Sequence, residues 1–81
     1  MLADVISDLK GALMITEIGI TAGDIWNYLD KNGSATLTTM TKSIGKPRDL
    51  LLMSLGWLAR EGHIALGRSE EDYLSALARR K

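Results

Sequence analysis

The sequence of 81 residues contains no cysteine, one proline and one histidine. It therefore has no disulfide, and a single histidine without cysteine argues against a structural metal site. A domain of this size buries only about 60% of the surface that its unfolded chain exposes. Domains with such a thin core often rest on a disulfide, a metal or a partner subunit. The composition argues against a disulfide and a metal, so self-association, in which a second copy is the partner subunit, is the remaining support.

Long apolar runs are also missing, although 46% of the residues are hydrophobic. The N-terminus has neither a basic region nor a continuous apolar segment, so the sequence predicts no signal peptide and no membrane span. The absence of cysteine is compatible with a reducing compartment. We expect a single cytoplasmic domain over residues 1–81 that has no membrane partner.

The formal net charge is zero, which argues against a protein that binds polyanions strongly. The charges are nevertheless unevenly distributed along the chain. Residues 1–35 contain two bases and five acids, residues 36–68 contain five bases and two acids, and residues 69–81 contain three of each. An anionic partner would therefore meet the middle of the chain.

Residues suited to catalysis are scarce. A serine or threonine nucleophile needs a base and an orienting group, and His63 is the one histidine in the chain. It lies beside an apolar segment, where a structural role is commoner than a catalytic or metal-binding one. The eight glycines show no phosphate-binding spacing. We predict no enzyme activity, no cofactor and no metal site, and we infer no small-molecule substrate.

The N-terminal part of the chain contains two helical patterns separated by a connector. Apolar residues recur at helical spacing over Leu2–Leu13, which predicts an amphipathic helix. Residues 14–20 are rich in β-branched side chains and predict a connector or a short extended piece. A second helix would then begin with Thr21 as its N-cap and stop at Asn32 and Gly33.

The next segment predicts a brief strand and a short helix. The strand would occupy Ser34–Thr36, and the helix would run through Ser43. Its N-cap is either Thr36 or Thr38, because both hydroxyls are suitably placed. The side chains that this helix would turn inward are Leu37, Met40 and Ile44.

The longest helix is predicted over Pro47–Glu61, because proline suits a first helical turn and Gly62 ends the pattern. His63–Leu66 has the pattern of a strand, and residues 67–69 have that of a turn. The residues after this turn are ambiguous. Their order of a Ser69 cap, acids and then bases is typical of a helix, but "DYLSAL" also fits a strand that returns along His63–Leu66.

The order of these elements resembles the winged helix-turn-helix fold. In winged regulators the third helix buries apolar residues at i, i+4 and i+7, followed by glycine at i+11 and an apolar strand residue at i+13. The residues at these positions here are Leu51, Leu55, Leu58, Gly62 and Ile64. The runs "TAGDIWNYLDKNG" and "GWLAREGHI" look like a small prokaryotic winged helix-turn-helix family without an assigned function.

This resemblance covers roughly residues 20–78 and implies a three-helix core with a β-hairpin wing, without catalytic residues or cofactor. We therefore expect a mainly α-helical winged helix-turn-helix fold with a small β-hairpin and an extra N-terminal amphipathic helix. In this division residues 1–19 are the helix and connector, 20–78 the winged domain and 79–81 a basic tail. The resemblance also favours a strand over a helix for "DYLSAL".

The third helix has an unusual outward face for a DNA reader. With its leucine stripe buried, the positions turned outward are Arg48, Leu52, Met53, Gly56, Trp57 and Arg60. Reading base edges requires hydrogen-bonding side chains, and contacting phosphate requires charge. Four of these six residues offer neither.

Exposed apolar patches usually mark partner contacts, and Trp is enriched among the residues that dominate binding energy. Our leading hypothesis is therefore a non-enzymatic, regulator-like module that forms a homodimer or docks a protein partner. The predicted interface is Leu52, Met53, Gly56 and Trp57. Either the chain's own helix over Leu2–Leu13 or another chain would cover it.

The alternative is a weak, salt-sensitive DNA-binding regulator that uses the basic turn, the start of the third helix and the wing. Arg68 would lie at the wing tip, where a side chain can enter a minor groove. The candidate DNA contacts are Lys42, Lys46, Arg48, Arg60 and Arg68. The same residues are also explained as ordinary solvated surface charges.

Overall fold

The structure is a computed structural model and describes residues 14–78. In chain order its elements are α1 (Met14–Asn32), β1 (Ser34–Thr36), α2 (Leu37–Ile44), α3 (Arg48–Arg60), β2 (Ile64–Ser69) and β3 (Asp72–Leu77). The three strands form an antiparallel sheet in the order β1-β3-β2. The predicted mainly helical fold with a hairpin is confirmed. The predicted helix over Leu2–Leu13 and the basic tail over 79–81 lie outside the described residues.

Helix α1 corrects the prediction for residues 14–20, because it is continuous from Met14 to Asn32. The predicted connector is wrong, and Thr21 lies inside the helix instead of capping it. β-branched residues lower helix propensity by only a few tenths of a kcal/mol each, and burial of one helix face outweighs that cost. The buried residues of this face are Thr21, Ala22, Ile25 and Leu29.

The predicted stop of this helix is confirmed at Gly33. Its φ of 87° is in the left-handed region, which glycine adopts without the steric cost of a Cβ atom. Its backbone N–H donates to the carbonyl oxygen of Leu29 at 2.7 Å. This bond closes the helix and turns the chain into β1, which has the predicted bounds.

Thr36 is the N-cap of α2, so the structure decides between the two predicted threonines. The Thr36 hydroxyl accepts a hydrogen bond from the backbone N–H of Thr39 at 3.1 Å. Among the predicted inward residues, Leu37 and Met40 are fully buried and Ile44 is half-buried. The N-cap hydrogen bond therefore stabilises the start of the short helix, and the burial of its apolar side chains stabilises its inner face.

Helix α3 begins one residue after Pro47 and ends one residue before Glu61. Pro47 occupies the N-cap position and lies outside the first helical turn, which is a small correction to the predicted start. The leucines at 51, 55 and 58 are buried, as is Ile64 in the following strand. These four positions confirm the burial pattern that the resemblance implies.

The hairpin of β2 and β3 confirms the strand predicted for "DYLSAL" and corrects the predicted turn. Residues 67–69 belong to β2, and the turn is Glu70 and Glu71. Ser69 pairs with Asp72 across this turn, and Glu70 has a φ of 56°. The local helix signal is overridden because β3 is the central strand and pairs with a neighbour on each side.

The core lies between the three helices and the inner face of the sheet. Its buried members are Ala22, Ile25, Leu29, Ala35, Leu37, Met40, Leu51, Leu55, Leu58 and Ile64. All six described elements except β3 contribute a residue to this cluster, and β3 packs Tyr73 and Leu77 against it. The arrangement fixes one face of α3 inward and leaves the other for contact.

Candidate functional site

Helices α1 and α3 pack in antiparallel directions, which positions the candidate site. Lys46, just before α3, contacts Asp24 in an ion pair of 3.2 Å and donates to the Thr21 hydroxyl at 3.4 Å. Eight residues after Lys46, within α3, the buried Ser54 hydroxyl donates to the carbonyl oxygen of Ile18 at 3.3 Å. Later residues of α3 therefore meet earlier residues of α1.

An apolar groove of about 350 Å³ opens between the two helices near the start of α1. We call it the α1–α3 groove, and its lining residues are Ile15, Ile18, Gly19, Met53 and Trp57. No charged side chain is among them. Ile15 is 72% exposed, Trp57 44% and Met53 42%. Large apolar side chains thus border a cavity that the described part of the chain leaves unfilled.

The predicted interface residues are only partly brought together by the structure. Met53 and Trp57 line the groove, and Gly56 is exposed on the same helix. Leu52 is half-buried and packs against the core, so it faces outward only in part, and its place in the interface stays a prediction. Its position next to Leu51 turns it far enough inward to contact the core.

The α1 side of the groove was missed at the sequence level. Ile15, Ile18 and Gly19 lie in the segment predicted to be a connector, which is the first part of α1. A signal was present, because Ile15, Ile18, Ala22, Ile25 and Leu29 alternate spacings of three and four residues. This period continues the buried stripe of α1 back to the groove.

Three glycines lie inside the helices next to or near this groove, namely Gly19, Gly23 and Gly56. None of the three has a positive φ, and a Cβ atom added at any of them would meet nothing within 4 Å. Glycine in a helix interior is about 1 kcal/mol less favourable than alanine. Within residues 14–78, neither conformation nor packing explains these glycines.

His63 lies beside Trp57, one of the residues that line the groove. Its ring is 6.4 Å from that of Trp57, with a tilt of 39°. The side chain is exposed, and the residues from 14 to 78 contain no group of three or more potential metal ligands. This geometry is typical of an aromatic contact that orients Trp57. It does not indicate a site for proton transfer.

A family model described as a winged helix-turn-helix domain, DUF2582, matches residues 13–77. The chain belongs to this winged helix-turn-helix family. The match confirms the suspected resemblance to a small family without an assigned function. Searches of curated proteins and of solved structures found no match. The winged helix is a DNA-binding type of fold and is typically non-catalytic.

The wing of this winged helix domain does not have the predicted basic tip. Its turn is formed by Glu70 and Glu71, whereas Arg68 lies within β2 opposite Tyr73. The Arg68 guanidinium carbon is 5.5 Å from the centre of the Tyr73 ring, a cation–π geometry. The prediction that Arg68 lies at the wing tip is wrong, because the hairpin continues for three residue pairs beyond Leu66, where the glycine suggested that the strand would end.

The other candidate DNA contacts differ in how available their charges are to a phosphate group. Lys46 is occupied by its ion pair with Asp24, while Lys42, Arg48 and Arg60 are exposed. Lys42 lies in the last turn of α2, and Arg48 and Arg60 lie at opposite ends of α3. The structure therefore distributes the exposed cations of this group along two helices.

Asp72, the first residue after the wing turn, connects the start of β3 to the start of α2. Its carboxylate accepts hydrogen bonds from the backbone N–H groups of Tyr73 at 2.8 Å and Thr38 at 3.3 Å. The Tyr73 hydrogen bond, assisted by Thr38 and the charge of Arg48, lowers the pKa of the Asp72 carboxyl below its ordinary value. A carboxylate that also fits the start of a helix thus links the first residue of β3 to α2.

No helix within residues 14–78 is long and apolar enough to cross a membrane.

Proposed function

We propose that this winged helix domain is a non-enzymatic interaction module that self-associates through the α1–α3 groove. The main support for this proposal is the unfilled apolar groove beside α3, which is the helix that reads DNA in winged regulators. The cytoplasmic location expected from the sequence stays a prediction.

The outer face of α3 suits protein better than DNA. Met53 and Trp57 are more than two-fifths exposed, and Gly56 between them has no side chain to offer a base. Major-groove recognition depends mainly on hydrogen bonds to base edges. Removing apolar surface of this kind from water contributes roughly 25 cal/mol per Å², which favours an apolar partner.

A second copy is the occupant because the surface has both parts of a self-complementary contact. Ile15 and Trp57 project, while Gly19 and Gly56 leave open space on the neighbouring backbone. A twofold interface requires one surface to fit itself, and projecting side chains beside open glycines meet that requirement. The same fit accounts for glycines that the described chain does not otherwise need.

Charge is also compatible with pairing of identical copies. The formal net charge of the chain is zero, so two copies are not opposed by net repulsion. The two helices that border the groove carry exposed charges of opposite sign, Glu17 on α1 and Arg60 at the end of α3. A second copy placed with its α1 against this α3 would meet opposite charge.

Trp57→Ala tests this proposal by sedimentation equilibrium. Truncation of a central interface tryptophan typically costs 2 kcal/mol or more, so we expect the dimer Kd to rise at least about 30-fold. Trp26→Ala is the matched control, because Trp26 is 40% exposed on α1 but does not line the groove. A monomeric wild type, or equal effects of both substitutions, would contradict self-association through the groove.

A second candidate function is weak DNA binding, favoured by the exposed cations Lys42, Arg48 and Arg60. The acidic wing tip and the ion pair of Lys46 reduce the charge available to phosphate. Titration of a labelled mixed-sequence duplex at low and near-physiological salt would test it by fluorescence anisotropy. Binding that collapses as salt rises supports phosphate contact, whereas no binding at tens of micromolar removes this candidate.

The variant for this titration is the triple substitution of Lys46, Arg48 and Arg68 by Ala. If these side chains contact phosphate, the triple variant should bind more weakly and with a shallower salt dependence. Lys42→Ala with Arg60→Ala is the complementary pair and locates the contact on the helices instead of the turn and wing. Equal binding by every variant would remove the assignment to these residues.

A further inference from the structure

Strand β2 is one edge of the sheet, and within residues 14–78 its strand neighbour is β3 alone. It pairs with β3 over six consecutive residues without a bulge, and it contains no proline. The opposite edge, β1, has only three residues. Native proteins usually protect a long, regular edge strand with a proline, a bulge or a charged side chain. β2 therefore depends on charge alone for such protection.

Arg68 is the one charged residue of β2, and its side chain does not protect the edge. Arg68 pairs with Tyr73 across the hairpin, and its guanidinium carbon is 5.5 Å from the centre of the Tyr73 ring. This cation–π contact holds the charge over β3, on the side of Arg68 away from the free edge. The free edge is therefore an unprotected row of backbone groups.

The hairpin turn determines which backbone groups of β2 face the free edge. Ser69 and Asp72 pair across the two-residue turn, and the pair that closes such a turn exchanges two hydrogen bonds. Hydrogen-bonded pairs alternate with non-hydrogen-bonded pairs along an antiparallel ladder. Every second residue, counted back from Ser69, therefore directs its N–H and C=O groups toward β3. The hydrogen bond from the Ala78 N–H to the His63 carbonyl oxygen, at 2.9 Å, follows this alternation.

The other residues of β2 direct their N–H and C=O groups outward, away from the sheet. These residues are Ile64, Leu66 and Arg68. Within residues 14–78, no side chain and no backbone group of another element forms a hydrogen bond with these outward groups. A strand of the right spacing would satisfy them together.

We propose that this edge pairs with the β2 edge of a second copy in antiparallel orientation, with the two Leu66 residues opposite each other. The three-stranded sheets of the two copies then form one continuous sheet. This pairing goes beyond the proposed function, because β2 and the α1–α3 groove have no residue in common. A second copy is the occupant because β2 fits itself in hydrogen bonding and in side chains.

The spacing of the outward groups selects the register. A pair centred on Leu66 sets Ile64 of each copy opposite Arg68 of the other, so every outward residue faces an outward residue. Each such pair exchanges two hydrogen bonds, which gives about six in total. Any other twofold register leaves an outward residue of each copy without a strand residue opposite it. A pair centred on Arg68 would also oppose two like charges.

The side chains fit in the same register. On the core-facing side of the joined sheet, the two Leu66 side chains meet, and Arg68 lies opposite Ile64. The aliphatic stem of an arginine can cover an apolar neighbour while its charge stays in water. On the other side Ala65 and Gly67, both exposed in the single chain, lie opposite each other. No opposed pair combines like charges.

The other edge of the sheet limits how far this pairing extends. β1 has three residues, and its last residue, Thr36, is the N-cap of α2. A third copy therefore finds no comparable edge to join, and twofold pairing through β2 closes at two copies. A chain that pairs through β2 and also through the α1–α3 groove would form an assembly larger than a dimer.

Amide hydrogen exchange of the full chain, measured by NMR, tests the pairing residue by residue. In dilute protein, the outward amides of Leu66 and Arg68 should exchange fast. The amides of Ala65 and Gly67 are the matched controls and should exchange slowly, because they donate to β3. At concentrations at which the chain associates, exchange at Leu66 and Arg68 should slow at least about tenfold. Unchanged exchange would overturn the proposal and leave this edge for an extended segment of another protein.

Arg68→Pro, compared with Arg68→Ala, tests the same edge by sedimentation equilibrium. Both substitutions remove the charge and the contact with Tyr73, but only proline removes the outward N–H. Proline is tolerated where the N–H of an edge strand faces away from the sheet, and circular dichroism verifies that both variants keep their fold. Because the missing bond occurs twice by symmetry, the Kd of Arg68→Pro should exceed that of Arg68→Ala at least about tenfold. Equal Kd values would count against pairing through β2.

Trp57→Ala separates this edge from the groove. If Trp57→Ala weakens association and the Leu66 and Arg68 amides exchange fast at every concentration, the groove pairs and the edge does not. If these amides become protected with concentration and Trp57→Ala leaves association unchanged, the edge pairs and the proposed groove contact fails. A chain that is monomeric at every concentration contradicts both.

The register is tested by disulfide formation, for which a chain without cysteine gives no background. In the proposed pair, residues 65 and 67 of different copies are a non-hydrogen-bonded pair, and its Cα separation of about 4.5 Å suits a disulfide. A mixture of Ala65→Cys and Gly67→Cys proteins should therefore crosslink faster than either protein alone. Faster crosslinking of either protein with itself would show another register or parallel strands and overturn the arrangement.

Discussion

Helix α3 and the wing, the two parts that a winged domain usually presents to DNA, differ in chemistry here. The helix offers Met53, Gly56 and Trp57, whereas the wing tip offers Glu70 and Glu71. One surface is apolar and the other acidic, so each disfavours phosphate for a different reason. A fold supplies shape, and the side chains placed on it decide what is bound.

The largest expected effect separates the two faces of α3. Leu55→Ala removes a fully buried side chain and should lower the free energy of unfolding by about 2–5 kcal/mol. Met53→Ala, two residues away on the groove side, should cost much less in dilute protein and more at concentrations that favour the dimer. Urea unfolding at two protein concentrations measures both. Similar, concentration-independent losses would mean that Met53 is covered within the chain.

Gly56→Ala should have opposite effects on the monomer and the dimer. The added methyl group has open space and an ordinary helical backbone, so the monomer should gain about 1 kcal/mol of stability. In the proposed contact that space belongs to the second copy, and association should weaken. A stabilised monomer with unchanged association would exclude Gly56 from the interface.

The smallest expected effect concerns the wing. Because its pKa is lowered in the folded state, Asp72 stabilises the fold above its ordinary pKa of 3.8, and this contribution is lost as pH falls below that value. Asp72→Ala should therefore lower the Tm at pH 6 and converge with wild type near pH 2. Thermal unfolding across this range measures the convergence. A constant difference at every pH would assign the effect to geometry and not to ionisation.

Local sequence patterns were sufficient for the helices wherever the chain's own period agreed with tertiary burial. Leu51, Leu55 and Leu58 repeat at helical spacing, and Gly33 can adopt a conformation that other residues avoid. The wing turn was misplaced because Gly67 looks like a turn residue, whereas pairing with a strand distant in sequence decides where β2 ends. Such long-range pairing has no local signature.

Only the α3 side of the candidate site was predicted from the sequence, because there too a local pattern agreed with burial. Met53, Gly56 and Trp57 follow from the phase of α3 once its leucines are placed inward. Ile15 and Ile18 were lost because β-branched residues were given more weight than the period that they share with Ile25. Dividing a helix into an inward and an outward face does not describe Leu52, which lies at the boundary between the two. Its side chain packs against the core and is still partly exposed at the surface.

The strand order β1-β3-β2 has a consequence for synthesis. The central strand is the last of the three to leave the ribosome, so β1 and β2 have no strand partner until Leu77 has emerged. Unpaired strand edges are prone to join other chains. During translation, β1 and β2 therefore present unpaired edges until β3 emerges and pairs with both of them.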